Sequence, residues 1–130
     1  MILSSLAALS LALGGLSLQD PTVEPLNLED SISCAGIFFA HSRQPEIAAL
    51  DGVQIYEDMT VVFLDRAETL GARVGLTRED VIERAASISD RLSGILGQQG
   101  TPEARESMLE EWFEVEQLCV AGGQLPIPDA

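Results

Sequence analysis

The chain has only two cysteines, Cys34 and Cys119, which lie 85 positions apart in a sequence of 130 residues. A disulfide between them would close most of the chain into one loop. In the chain-entropy model a loop of this length is worth about 4 to 5 kcal/mol. That is comparable with the whole net stability of a small domain, about 5 kcal/mol or more. The fold that this chain can adopt therefore depends on whether its compartment and its topology allow the disulfide to form.

The first residues, MILSSLAALSLALGGLSL, carry no charged side chain and are apolar apart from serine and glycine. This composition is typical of the apolar region of a secretory signal peptide, although the usual basic residues at its start are missing. The run is at the short limit for a membrane anchor, and a buried N-terminal helix is the other alternative. We predict a signal peptide over residues 1–18, cleaved after Gly14 or Ser17. The protein is then periplasmic or secreted, without a stable membrane anchor.

The segments that flank the central part of the chain look extended. Residues 19–30 are acidic and contain two prolines, which remove backbone donors, so they are predicted to form a linker. Residues 122–130 begin with two glycines that end a helix and continue with prolines that prevent another. We therefore predict a helical domain over residues 31–121 and a flexible tail after it.

Apolar residues at spacings of three and four predict two helices in the first half of this domain. The first should span residues 31 to 41 or 42, with Asp30 or Ser31 as its N-cap and Pro45 after its end. The second should span residues 54–73. Its apolar stripe comprises Tyr56, Met59, Phe63, Ala67, Leu70 and Val74.

Two further helices begin at clear capping signals. Thr77 precedes a first turn rich in acids, and Gly97 ends that helix. Thr101 caps the fourth helix, Pro102 occupies its first position, and Gly122 closes it. The apolar stripes are Val81, Ala85, Ile88, Leu92 and Ile95 in the third helix, and Met108, Trp112, Val115 and Cys119 in the fourth.

Short connections favour antiparallel neighbours, so the predicted fold is all-α, a small four-helix up-down bundle. The alternative is a three-helix core plus a loose N-terminal helix. In the bundle, the start of the first helix and the end of the fourth lie at the same pole, which brings Cys34 to Cys119. In an oxidising compartment these two cysteines are expected to form one disulfide.

Other uses of these residues are less well supported. His41, the only histidine, lies two turns from Cys34, about 10 Å along a helix, which is too far to activate a thiol. It lacks the partners of a metal site, and we expect it to be exposed at a helix end. Trp112 and Tyr56 are expected in the core. We predict no enzyme, no cofactor, and no concave pocket lined by converging polar groups.

The net charge is −14, and all seven basic residues are arginines. Nucleic acids and anionic membrane surfaces are therefore disfavoured partners, because both require a basic surface. A partner protein should be cationic or apolar. Glu110, Glu111 and Glu114, in a run that also includes Glu116, form a possible acidic partner-binding face, although such runs are more often solvated surface.

The segments CAGIFFA, GLTREDVIERA and the late LC resemble small uncharacterised exported proteins of alphaproteobacterial type, with one cysteine at each end of a helical domain. The resemblance covers about residues 31–120 and implies an exported helical fold without a known chemistry. There is also a coarse similarity to small two-cysteine periplasmic acid-stress chaperones, from which this chain departs in having no lysine.

We therefore expect an exported non-enzymatic helical protein that serves as a binding or accessory module. Two alternatives follow from the same sequence. One is an acid-responsive periplasmic holdase, since protonation of the 21 acids would leave seven arginines and reverse the sign of the charge. The other is a carrier of a small apolar ligand held between the helices.

Overall fold

The computed structural model describes residues 24–49 and 52–128, and within them the chain forms helices and no strand. The predicted signal peptide lies outside the described residues. The four long helices pack as an up-down bundle, which confirms the predicted fold class. In chain order the helices are α1 (Leu28–Ser42), α2 (Pro45–Ala49), α3 (Val53–Ala72), α4 (Arg78–Gly97) and α5 (Pro102–Gly123).

Helix α1 begins at Leu28, earlier than the predicted start at Ser31. The side chain of Asn27 is the N-cap, and its Oδ1 accepts a hydrogen bond from the backbone N–H of Asp30 at 2.7 Å. Glu29 and Asp30 place negative charge in the first turn, where it suits the helix dipole. Ser31 is not a cap, since it is fully buried and its hydroxyl donates to the carbonyl of Asn27 at 2.8 Å.

Helix α1 is the central helix of the bundle and packs against α3, α4 and α5. Small residues allow its close approach to α4: a Cβ on Gly36 would lie 2.6 Å from Cγ2 of Ile88. The alternative with a loose N-terminal helix is therefore wrong. The buried residues of α1 are Ser31, Ile32, Cys34, Ala35, Gly36, Ile37, Phe38, Ala40 and His41.

Parts of the predicted linker and tail belong to the folded unit. Leu26 is only 3% exposed and packs on Gly122, where an added Cβ would lie 2.7 Å from Cδ2 of Leu26. The guanidinium of Arg66 donates to the carbonyl of Leu26 at 3.3 Å and to that of Leu125 at 2.8 Å. One buried arginine thus ties together the segments that precede α1 and follow α5.

The later helix starts are as predicted. Thr77 and Asp80 form a reciprocal capping box at α4, and Oγ1 of Thr101 accepts from the backbone N–H of Ala104 at α5. Pro45 marks more than the end of α1, because it occupies the first position of the short helix α2. Val74, predicted in the core stripe of the second helix, lies beyond the end of α3 and is 67% exposed.

The structure joins Cys34 to Cys119, as the shared-pole argument predicted. Their Cα atoms are 5.9 Å apart, within the usual range for disulfides, and both residues are fully buried. The bond links the first half of α1 to the last turns of α5. It therefore closes the helical unit from near its beginning to near its end.

Candidate functional site

A groove of about 550 Å³ lies between α1 and α4. This volume is within the range of small-molecule sites, roughly 300 to 1,000 Å³. The sequence predicted no concave pocket lined by converging polar groups, but the structure has a concave groove whose lining mixes apolar and polar side chains. Its lining consists of Ile32, Ile37, Ile88, Leu92 and Ile95, together with Glu29, Ser33, Arg84, Ser87 and Arg91.

The groove lies where one edge of the apolar face of α4 is only partly covered. Val81, Ala85 and Leu96 lie in the core. Ile88, Leu92 and Ile95 border the groove and are only partly covered, and Ile88 and Leu92 also pack against the core. Ile95 is 41% exposed, although its place in the predicted stripe indicated a core position. Part of the predicted core stripe of α4 therefore borders a surface groove.

Two arginines on α4 give the groove its positive charge. Arg84 and Arg91 line it and are exposed, and neither makes an ion pair or hydrogen bond within the described residues. Glu29 lies where α1 begins, at the other end from Arg91. The remaining arginines all have partners: Arg43 with Asp90, Arg66 and Arg73 with backbone carbonyls, Arg78 with Asp65 and Glu68, and Arg105 with Glu46.

A second cluster, inside the bundle, contains the only histidine. Nδ1 of His41 lies 2.7 Å from Oε2 of Glu116, and the two residues are 5% and 1% exposed. The imidazole packs against the rings of Tyr56 and Trp112, with centroids 4.4 and 5.8 Å away. Burial raises the pKa of Glu116, and the hydrogen bond to His41 partly opposes this shift. Burial, with the charge of Glu116, also raises the pKa of Tyr56.

The expectations for His41 and Glu116 are therefore both wrong. His41 is not exposed at a helix end, and Glu116 does not belong to the solvated acidic run. Sequence reasoning missed a signal here, because Glu116 lies four residues after Trp112 and three before Cys119, on the buried stripe of α5. Its partner is 75 residues away on another helix, and no local pattern identifies such a pair.

This buried pair lies apart from the groove. Neither residue lines the groove, and Cys34, the cysteine on the same helix as His41, is held in the disulfide. Oε1 of Glu116 has no hydrogen-bond partner among the described residues. Across the described ranges, no three or more His, Cys, Asp or Glu side chains come together as a possible metal site.

The other predicted residues lie away from the groove. Glu110, Glu111 and Glu114 are exposed on α5, and their role as an acidic partner-binding face stays a prediction. Trp112 is 5% exposed, and Tyr56 packs against the core with its ring 5.9 Å from that of Phe38, so both aromatics lie where the sequence predicted.

Comparison of the chain with protein-family models, curated proteins and solved structures finds no match. Among the described helices, none combines the length and the apolar character that crossing a membrane requires. The geometry of the groove and of the buried pair is therefore the basis for assigning a function.

Proposed function

We propose that the protein is an exported, non-enzymatic binding protein that carries a small apolar ligand in the groove between α1 and α4. The observation that carries the proposal is the partly exposed apolar edge of α4, formed by Ile88, Leu92 and Ile95, which borders a groove of about 550 Å³. Each methylene group that leaves water for such a surface gains about 0.8 kcal/mol. A ligand with a hydrocarbon chain would bury the exposed parts of Ile88, Leu92 and Ile95.

The test fills the groove with a side chain. Ser87 is exposed on the groove wall, so Ser87→Phe should place an aromatic ring in the groove without disturbing the core. Ser107→Phe, at an exposed position of α5, is the matched control. In calorimetric titration with 1-decanol, Ser87→Phe should bind about tenfold more weakly than the wild type, a loss of about 1.4 kcal/mol. The proposal fails if 1-decanol does not bind, or if both variants bind it equally.

Two features support export. The disulfide belongs to an oxidising compartment, and the composition of residues 1–18 is that of a signal peptide. We propose the periplasm or the medium as the location. Mass spectrometry of the protein from its native cells should find a mature chain that begins at residue 15 or 18, with the cysteines oxidised. A full-length chain with reduced thiols would contradict export.

An acid-responsive holdase is a second candidate, favoured by ion pairs that each join two parts of the bundle. Arg105 on α5 pairs with Glu46 on α2 at 2.7 Å. Arg43, after α1, pairs with Asp90 on α4, and Arg78 on α4 pairs with acids of α3. Acid neutralises the carboxylate of each pair, and at Glu46 the hydrogen bond from Arg105 lowers the pKa and so opposes this loss.

The holdase predicts a specific pH response. Binding of a hydrophobic dye should rise between pH 7 and pH 2, and the protein should protect an unfolding client over the same range. A protein that fails to protect the client at low pH is not a holdase, whatever its dye binding.

A further inference from the structure

We infer that the ligand of the groove is an anionic amphiphile, a free molecule with one hydrocarbon chain whose acidic head is held by Arg84 and Arg91. This inference rests on the proposed function, because it names the ligand class of the same groove. The hydrocarbon chain accounts for the isoleucine and leucine lining, and the anionic head accounts for the two arginines on the wall formed by α4.

The availability of these two arginines is the first argument. In a chain of net charge −14, acids are abundant and arginines usually find one. Two of the acids near them on α4 are already engaged. Asp80, one turn before Arg84, accepts the backbone N–H of Thr77 at 2.9 Å. This hydrogen bond is the main reason that the pKa of Asp80 is lowered, and the positive charge of Arg84 lowers that pKa further. Asp90, next to Arg91, is paired with Arg43 at 2.8 Å.

The positions of the two arginines on α4 are the second argument. Arg84 and Arg91 are seven residues apart, which places them two turns apart on one face, about 10 Å along the axis. The planar guanidinium group matches the two oxygens of a carboxylate, and its hydrogen bonds to a charged acceptor are strong. Both guanidinium groups are solvent-exposed, so they remain hydrated and available without a ligand.

The charge distribution along the groove also gives the ligand a direction. Glu29 lies at the end where α1 begins and would repel an anion there. Arg91 lies at the other end, where Arg43, just after α1, donates to Ser89 and Asp90 of α4. The head should therefore lie between Arg84 and Arg91, away from Glu29, with the hydrocarbon chain against Ile88 and Ile32.

The experiment compares three probes that share a ten-carbon chain: decanoate, 1-decanol and decyltrimethylammonium, each titrated into the purified protein near pH 7 by calorimetry. Two exposed charge contacts should make decanoate bind about tenfold more tightly than 1-decanol. In Arg84→Gln/Arg91→Gln this preference should disappear while the affinity for 1-decanol is kept. The control Arg73→Gln/Arg78→Gln changes the net charge equally, outside the groove, and should keep the preference. Circular dichroism verifies that both variants are folded.

The outcomes separate this inference from the proposed function. If decanoate and 1-decanol bind equally to the wild type, the groove binds apolar chains but the anionic head is wrong. A preference for the ammonium probe overturns the inference in the same way. If both double variants lose the preference equally, the effect is one of net charge and Arg84 and Arg91 hold no head. If no probe binds, the proposed function falls together with the inference.

Discussion

Removal of the disulfide by Cys34→Ala/Cys119→Ala is expected to lower the free energy of unfolding by about 4 to 5 kcal/mol. The magnitude follows from the sequence separation of 85 residues, because the bond restricts a large loop in the unfolded chain. Alanine is the appropriate replacement, since both sulfurs are fully buried and serine would leave a buried hydroxyl without a partner. The loss is comparable with the whole stability of a small domain, about 5 kcal/mol or more.

The assay is urea unfolding followed by circular dichroism under non-reducing conditions. With a slope of about 1 to 3 kcal/mol per molar urea, the midpoint should fall by about 1.3 to 5 M. Cys34→Ala alone should lose nearly as much as the double variant, because either substitution opens the loop. A double variant whose midpoint lies within about 0.5 M of the wild type would refute the reasoning.

Three further predictions concern packing, capping and charge, all measured by urea unfolding. Gly36→Ala should lower stability by about 1 kcal/mol, because overpacking against Ile88 at about 2 kcal/mol outweighs a helix-propensity gain of about 1 kcal/mol. Gly94→Ala, whose Cβ would meet nothing within 4 Å, should not lower it. Asn27→Ala should cost about 1 kcal/mol through loss of the α1 cap, and an unchanged midpoint would contradict that role. Burial raises the pKa of Glu116 in the folded protein above its pKa in the unfolded chain. The stability that this shift contributes is fully present below the unfolded pKa and is lost as the pH rises through the folded pKa. Glu116→Gln should therefore gain stability relative to the wild type as the pH rises above the unfolded pKa of a glutamate, about 4. The exposed control Glu111→Gln should show a smaller change, and equal changes would contradict the assignment.

Local signals account for the parts of the fold that the sequence predicts well. Thr77 and Thr101 are N-caps whose partners lie three residues away, so a short stretch of sequence contains the whole interaction. The disulfide depends only on helix count and connection length, which fix the pole at which Cys34 and Cys119 meet. The start of α1 was missed because Asn27 lies between prolines and acids typical of a linker, although its amide is a good cap.

The candidate site could not be predicted because it depends on how helices pack. The apolar row containing Ile88, Leu92 and Ile95 has the spacing of a core stripe, and the periodicity does not say which neighbour covers it. The pairing of His41 with Glu116 likewise joins helices at opposite ends of the sequence. Spacing identifies a buried face, but the identity of the residue opposite each position requires the tertiary structure.

The most direct test of the account locates the ligand by NMR, through nuclear Overhauser effects between the decanoate chain and the methyl groups of the protein. The account predicts contacts with Ile32, Ile88 and Leu92, the lining of the groove. The exposed valines of α3, Val61 and Val62, are the internal control, since each is 48% exposed without facing the groove. Contacts at those valines, with none at the groove methyl groups, would contradict the account.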